Sequence, residues 1–272
     1  MNFDNSWRSL MRPGAADLYF NHPAPPPFDP DSETFSLANA WWLAEMSRLI
    51  YHDRATGRRD SLETVQLREM GFISSGPTQF GVIAPAPCRI EKFRALVFRG
   101  TDSLGDWSTN LNAVPVDWPD GGRVHRGFLA ALDRVWSEVV ALLDASEGPL
   151  FIAGHSLGGA LATLSAARLR PRAAYTFGSP RVGDAAFGAA LAERGVTQRL
   201  FRIVKDRDVV ASVPPRRPYA YEHAGEFHHL EGSVTTPYIE RGWHSPPERM
   251  SDHAPINYVA SIDAQRGRNP AS

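Results

Sequence analysis

The amino-acid sequence predicts an α/β fold, a single domain whose central sheet is mostly parallel and carries helices on both faces. Three observations lead there. Short apolar runs alternate with helix-length stretches between Gln79 and Val204. Strands separated by helices of about ten residues or more need crossover connections, which make neighbouring strands parallel. No internal repeat or linker interrupts this pattern, and 272 residues suffice for one large core.

Taken in order, Met1 to Phe20 carries Asp4, Arg8, Arg12 and Asp17 and no continuous apolar run, so no secretory signal is expected there. The next segment, Asn21-His22-Pro23-Ala24-Pro25-Pro26-Pro27-Phe28-Asp29-Pro30, excludes helix and predicts a stiff, extended lead-in laid over the surface. Residues 1–34 are thus read as an N-terminal extension and 35–272 as the domain. From Phe35 to Tyr51, apolar residues from Leu37 to Ile50 recur at helical spacing and predict an amphipathic helix covering a core. Gln79 to Ala84 and Phe93 to Phe98 read as strands and Arg126 to Leu143 as one helix. Leu150 to Ala153 reads as a strand, Ser156 to Leu169 as a helix, and Ala173 to Phe177 as a strand. Asp184 to Arg194 reads as a helix and Leu200 to Val204 as a strand. Ser212 to Ser251, rich in Pro, Gly and His, reads as loops with room for one hairpin, and a last helix-like segment follows His253.

Composition excludes several functions. Lys and Arg number 29 against 30 Asp and Glu, so no basic excess points to nucleic acid. Lys92 and Lys205 are the only lysines, which leaves few candidates for Schiff-base, Ser-Lys or P-loop chemistry. Cys88 stands alone and forms no internal bridge. No run approaches the ~20 apolar residues of a membrane span.

The sharpest local feature is Gly154-His155-Ser156-Leu157-Gly158, a G-x-S-x-G. The bare pattern is weak. Its context strengthens it, because the apolar strand Leu150-Phe151-Ile152-Ala153 runs into it and Gly159-Ala160-Leu161-Ala162 opens a helix after it. A strand, tight turn and helix of this kind present a serine at the strand's carboxyl end, where helix N–H groups favour developing negative charge. A serine hydroxyl needs a base and an orienting acid to become a nucleophile. In this architecture they follow in the order acid, then histidine. Asp206 and Asp208, after the strand at Leu200, both qualify as the acid, and chemistry alone does not separate them. His223, His228, His229, His244 and His253 lie downstream of the acid. The first three match no standard zinc spacing. His253, at the start of the last helix, has the late position from which a base reaches back over the sheet. His155, adjacent to the serine, is expected to help pack the turn. Oxyanion donors are expected from the N–H of Leu157 and from the turn Arg99-Gly100-Thr101 after the strand at Phe93.

Several segments in this order resemble the fungal-type class 3 triacylglycerol lipases. They are Phe98-Arg99-Gly100-Thr101, Val124-His125-Arg126-Gly127-Phe128, the serine turn, Thr176 to Asp184, Arg207-Asp208-Val209-Val210 ending at Pro214-Pro215, and Asp252-His253. The resemblance runs from about Phe35 to Tyr258. It implies an α/β-hydrolase fold with a catalytic triad of Ser156, Asp208 and His253, and it selects Asp208 over Asp206. It implies an oxyanion hole formed by Thr101 and Leu157, and a short lid helix from about Asp102 to Ala113 with Leu104, Trp107 and Leu111 on one side.

The activity implied is that of a serine carboxylic-ester hydrolase, a lipase releasing fatty acid from acylglycerols through an acyl-enzyme, with no metal or cofactor. Phospholipase A1 and feruloyl-type esterase activities fit the same triad, and a non-catalytic lipid-binding module is the rival of another class. The expected partner is a lipid or other ester, met through transient contact with a lipid interface. The chain departs from secreted fungal members in its expected lack of a signal and of paired cysteines, which leaves localisation open.

Overall fold

The computed structural model describes residues 18–101, 113–231 and 252–268. Seven strands form one sheet: β1 (Leu67–Ser75), β2 (Thr78–Pro85), β3 (Arg94–Phe98), β6 (Leu150–His155), β7 (Ala173–Phe177), β8 (Leu200–Lys205) and β9 (Glu226–Leu230), in that spatial order. The strands from β3 to β9 run parallel, and β1 and β2 extend one edge as an antiparallel pair. A separate two-stranded ribbon joins β4 (Pro115–Asp117) to β5 (Arg123–His125). The mostly parallel sheet expected from the sequence is therefore present.

Alternation along the strands builds two cores. Ala95, Val97, Phe151, Ala153, Tyr175 and Phe177 face one side, where they meet α1 (Leu37–Leu49) and α7 (Pro255–Arg268). Leu96, Phe98, Leu150, Ile152 and Ala174 face the other. There they meet α3 (Arg126–Asp133), α4 (Trp136–Asp144), α5 (Leu157–Leu169) and α6 (Ala185–Glu193). The central strands β3, β6, β7 and β8 read as near-continuous apolar runs because both of their faces are covered.

The structure corrects four readings of the sequence. The stretch from Arg126 is two helices, broken where Val135 leaves helical geometry (φ −117°, ψ 7°) and turns fully into the core. Helix α1 is buried nearly all round rather than on one face, because the lead-in covers its outer side. Phe20 and Phe28 of that lead-in are core residues, the Trp42 indole donates to Pro26 O (2.7 Å), and Asn39 bonds both backbone groups of Asp29. Glu45 and Arg48, the charges on α1, are buried as a pair at 2.7 Å. The stretch read as loops contains a strand at Glu226 that pairs in parallel with β8.

Two elements escaped the sequence reading. The charged helix α2 (Ala55–Glu63) buries only Arg58 and Leu62 and is tied to β1 by an Arg58–Glu69 ion pair at 2.6 Å. Strand β1 is irregular between Glu69 and Gly71 and mostly half-buried, as an edge strand is expected to be.

Candidate active site

Strand β6 is buried along its whole length and delivers Ser156 at its carboxyl end. Ser156 has φ 59° and ψ −128°, a backbone state that L side chains seldom adopt and that clusters at functional sites. The strain is held by its neighbours. The Ser156 N–H donates to Phe177 O on β7 and the Gly159 N–H donates to Ser156 O, both at 2.9 Å. The flanking glycines permit close approach of backbones. A Cβ on Gly154 would collide with the Gly158 carbonyl, and one on Gly158 would collide with the Phe98 carbonyl at the end of β3. Helix α5 therefore starts directly against two strand ends, with its first N–H groups beside the serine.

The turn after β3 rests on this elbow. A Cβ on Gly100 would lie 2.7 Å from His155 O and 3.0 Å from the Ser156 Cβ. Arg99 anchors the turn, its guanidinium reaching Gln79 Oε1 (2.5 Å) and Asp53 (3.2 Å). Thr101, half-buried, follows at the end of a described stretch, and Leu157 is 8% exposed on the other side of the serine. The lid residues expected from the sequence, Leu104, Trp107 and Leu111, lie outside the described residues, as does His244.

Of the two aspartates, the structure brings Asp208 to the histidine. His253 Nδ1 donates to Asp208 Oδ2 at 2.7 Å, and both side chains are wholly buried. The Tyr258 hydroxyl, from the first turn of α7, donates to the same oxygen at 2.5 Å, and the Val210 N–H donates to Asp208 Oδ1 at 2.8 Å. Burial and then the Asp208 charge push the Tyr258 phenol well above its ordinary pKa, so it stays a donor. With Nδ1 holding a proton for Asp208, Nε2 of a neutral His253 is the basic nitrogen. Gly178 leaves room for this contact. It has φ +59°, and a Cβ there would strike Asp208 Oδ2 and lie 2.9 Å from both His253 Nδ1 and the Tyr258 hydroxyl. Asp206 is engaged elsewhere, with the ammonium of Lys205 at 2.5 Å.

His155 links the two halves of the site. Its Nε2–H donates to the His253 carbonyl (2.7 Å) and its Nδ1 accepts from the Tyr51 hydroxyl (2.9 Å). Burial, and then the neighbouring His253, hold its pKa well below the usual histidine range, so it is a neutral strut. His125 caps α3 by accepting from the N–H groups of Gly127 and Phe128, and desolvation lowers its pKa to about 4. His223 donates to Ala211 O at 2.7 Å, while the His228 ring stacks on Phe35. Among the described residues no group of three or more His, Cys, Asp or Glu is placed to hold a metal ion. Sequence reasoning missed Tyr51, Lys205 and Tyr258. The rarity of lysine marked Lys205 only as an exclusion, and the two tyrosines carried no motif at all.

Residues 95–217 match the family described as lipase (class 3). The solved structure of the Rhizomucor miehei triacylglyceride lipase is 30% identical with a TM-score of 0.60, and the alignment covers 71% of this chain and 79% of that one. The chain belongs to the class 3 lipase family. Its architecture is accordingly the α/β-hydrolase fold, as the resemblance implied. Among curated relatives, a lipase of Rhizomucor miehei is 40% identical over 152 residues, 50% of this chain and 41% of that protein. The rice protein phospholipase A1-II 6 is 33% identical over 215 residues, 63% of this chain and 51% of that protein. The chain spans about half the length of the curated relatives it matches.

Proposed function

We propose that this class 3 lipase relative is a serine carboxylic-ester hydrolase that cleaves acylglycerols through an acyl-enzyme. The observation that carries the reading is the buried His253–Asp208 bond at 2.7 Å, together with a serine held at φ 59° on an elbow whose His155 bonds the His253 carbonyl. In the first half-reaction His253 Nε2 takes the Ser156 proton as Oγ attacks the ester carbonyl. Asp208 keeps the imidazole in the Nδ1–H tautomer and stabilises the imidazolium that forms. The N–H groups of Leu157 and Thr101 receive the oxyanion, each such donor being worth about 2.7–4 kcal/mol in comparable sites. His253 then protonates the departing alcohol, and water repeats the cycle to release the acid.

Residues 35–272 would constitute the hydrolase domain and 1–34 an N-terminal extension, whose residues from Leu18 onward pack on that domain. Among the described residues no helix is long and apolar enough to cross a membrane. The substrate would be a lipid or other ester met by transient contact with a lipid interface.

Ser156→Ala should abolish hydrolysis of a p-nitrophenyl ester and covalent labelling by a fluorophosphonate in a chain that keeps its circular dichroism; retained turnover would reject the assignment. A second reading, phospholipase A1, is favoured by the rice relative, whose match covers more of this chain than that of the fungal lipase. Rates on triacylglycerol and phosphatidylcholine, below and above the concentration at which the substrate forms an interface, separate the two. A rate jump at the interface supports an acylglycerol at a lipid surface as the substrate.

A further inference from the structure

One of the two lysines stands beside the acid. Lys205 closes β8, three residues before Asp208, and its side chain is 3% exposed. Its ammonium lies 2.5 Å from Asp206 Oδ2 and 3.1 Å from Asp252 Oδ1. The other oxygen of Asp252 accepts from the Arg207 N–H at 3.2 Å. The carboxylate of Asp252 is thus gripped from two sides by the turn that carries Asp208, and Asp252 is the residue immediately before His253.

The opposite side of His253 is also tied down. Its own carbonyl accepts from His155 Nε2 at 2.7 Å, which fixes it to the serine elbow. The backbone at the histidine is therefore held at two neighbouring points, one through the acid's turn and one through the nucleophile's strand. The Nδ1–Oδ2 bond alone would leave the imidazole free to swing about Asp208. A charged donor suits this place better than a neutral one, because three aspartates, Asp206, Asp208 and Asp252, converge on the end of β8, and a buried carboxylate needs an opposite charge.

We propose that Lys205 is a positioning residue for ester hydrolysis: through Asp252, its buried ammonium holds the segment bearing His253 against the turn bearing Asp208. The inference rests on the hydrolase reading above and adds a part to it. A side chain that touches neither substrate nor imidazole acts here by setting where Nε2 points. Misplacement of a reacting group by about 1 Å costs on the order of 100-fold in rate, which bounds the effect from above.

The test uses the full chain and a soluble p-nitrophenyl ester. K205M and D252N are each expected to lower kcat about 10- to 100-fold with KM changed less than about twofold. The double variant is expected to be no slower than the slower single variant, because both changes break one link. In D252N the downfield proton resonance of the His253–Asp208 bond should shift or broaden, a readout that a purely structural ion pair would leave in place. If K205M does not accumulate as folded protein, D252N, which leaves Lys205 paired with Asp206, decides the matter alone. A folded D252N with kcat within about twofold of wild type, losses that multiply in the double variant, or an unmoved proton resonance would each overturn the proposal. A wild-type chain that neither hydrolyses the ester nor labels at Ser156 would instead defeat the hydrolase reading itself.

Discussion

Around Ser156 the decisive contacts are between backbones, whereas around His253 they are between side chains. Gly154, Gly158 and Gly100 let main chains approach where a Cβ would collide, and the serine's own φ of 59° is fixed by backbone hydrogen bonds to Phe177 O and from the Gly159 N–H. Asp208, His253, Tyr258, Lys205 and Asp252 instead meet through carboxylates, a ring, a phenol and an ammonium. The nucleophile's half is built from space and the acid–base half from polar bonds. The first should therefore fail when bulk is added, the second when charge or hydrogen bonding is removed.

Asp208→Asn tests the polar half most sharply. It is expected to lower kcat by about 10⁴, because an amide at this place favours the wrong imidazole tautomer. Asp206→Asn should cost far less, and the reverse order in a steady-state assay would transfer the acid's role to Asp206. Gly178→Ala blurs the division on purpose, adding bulk to the polar half. Its methyl would press between Asp208 and His253, so kcat should drop by on the order of 100-fold while the chain still folds, read as rate against thermal midpoint. Tyr258→Phe removes one hydrogen bond to a buried carboxylate and is expected to cost about 1.5–3 kcal/mol of stability in urea titration.

The last effect is one of pH. Desolvation depresses His125 and His223 to about 4 in the folded chain, below the 6.5 expected when unfolded. Between those values the unfolded chain binds more protons than the folded one. The stability is fully present above pH 6.5 and declines as pH falls toward 4, by at most ~1.4 kcal/mol per pH unit for each histidine. Urea midpoints at pH 7 and pH 5 measure this, and an unchanged midpoint would contradict it.

The same contrast explains what could be read from the sequence. The serine elbow is one contiguous stretch, so strand, glycines and helix announce one another within Leu150 to Leu169. Strand β7 was legible at both ends because every residue from Ala173 to Phe177 is buried. The acid–base half depends on contacts spanning 45 residues from Asp208 to His253 and 50 from Asp208 to Tyr258, and no local periodicity encodes those. Asp206 and Asp208 differ only in which way a turn faces, with Asp206 at φ 36° and its side chain toward Lys205. Helix α2 and strands β1 and β9 escaped because their exposed polar faces hide the period that burial imposes elsewhere.

The proline-rich strap bears on how this protein can be handled. Phe28 sits with its ring 4.2 Å from that of Phe93 and 4.9 Å from that of Phe151, and Glu33 bridges Arg172 and Arg199, just ahead of β7 and β8. Those contacts lie at the amino ends of the parallel strands, the pole opposite the serine. A gene trimmed to the motif-bearing portion would keep every group proposed for chemistry and yet leave an aromatic floor and two guanidinium groups facing water. Such a product would be expected to clump during purification, and its inactivity would say nothing about catalysis.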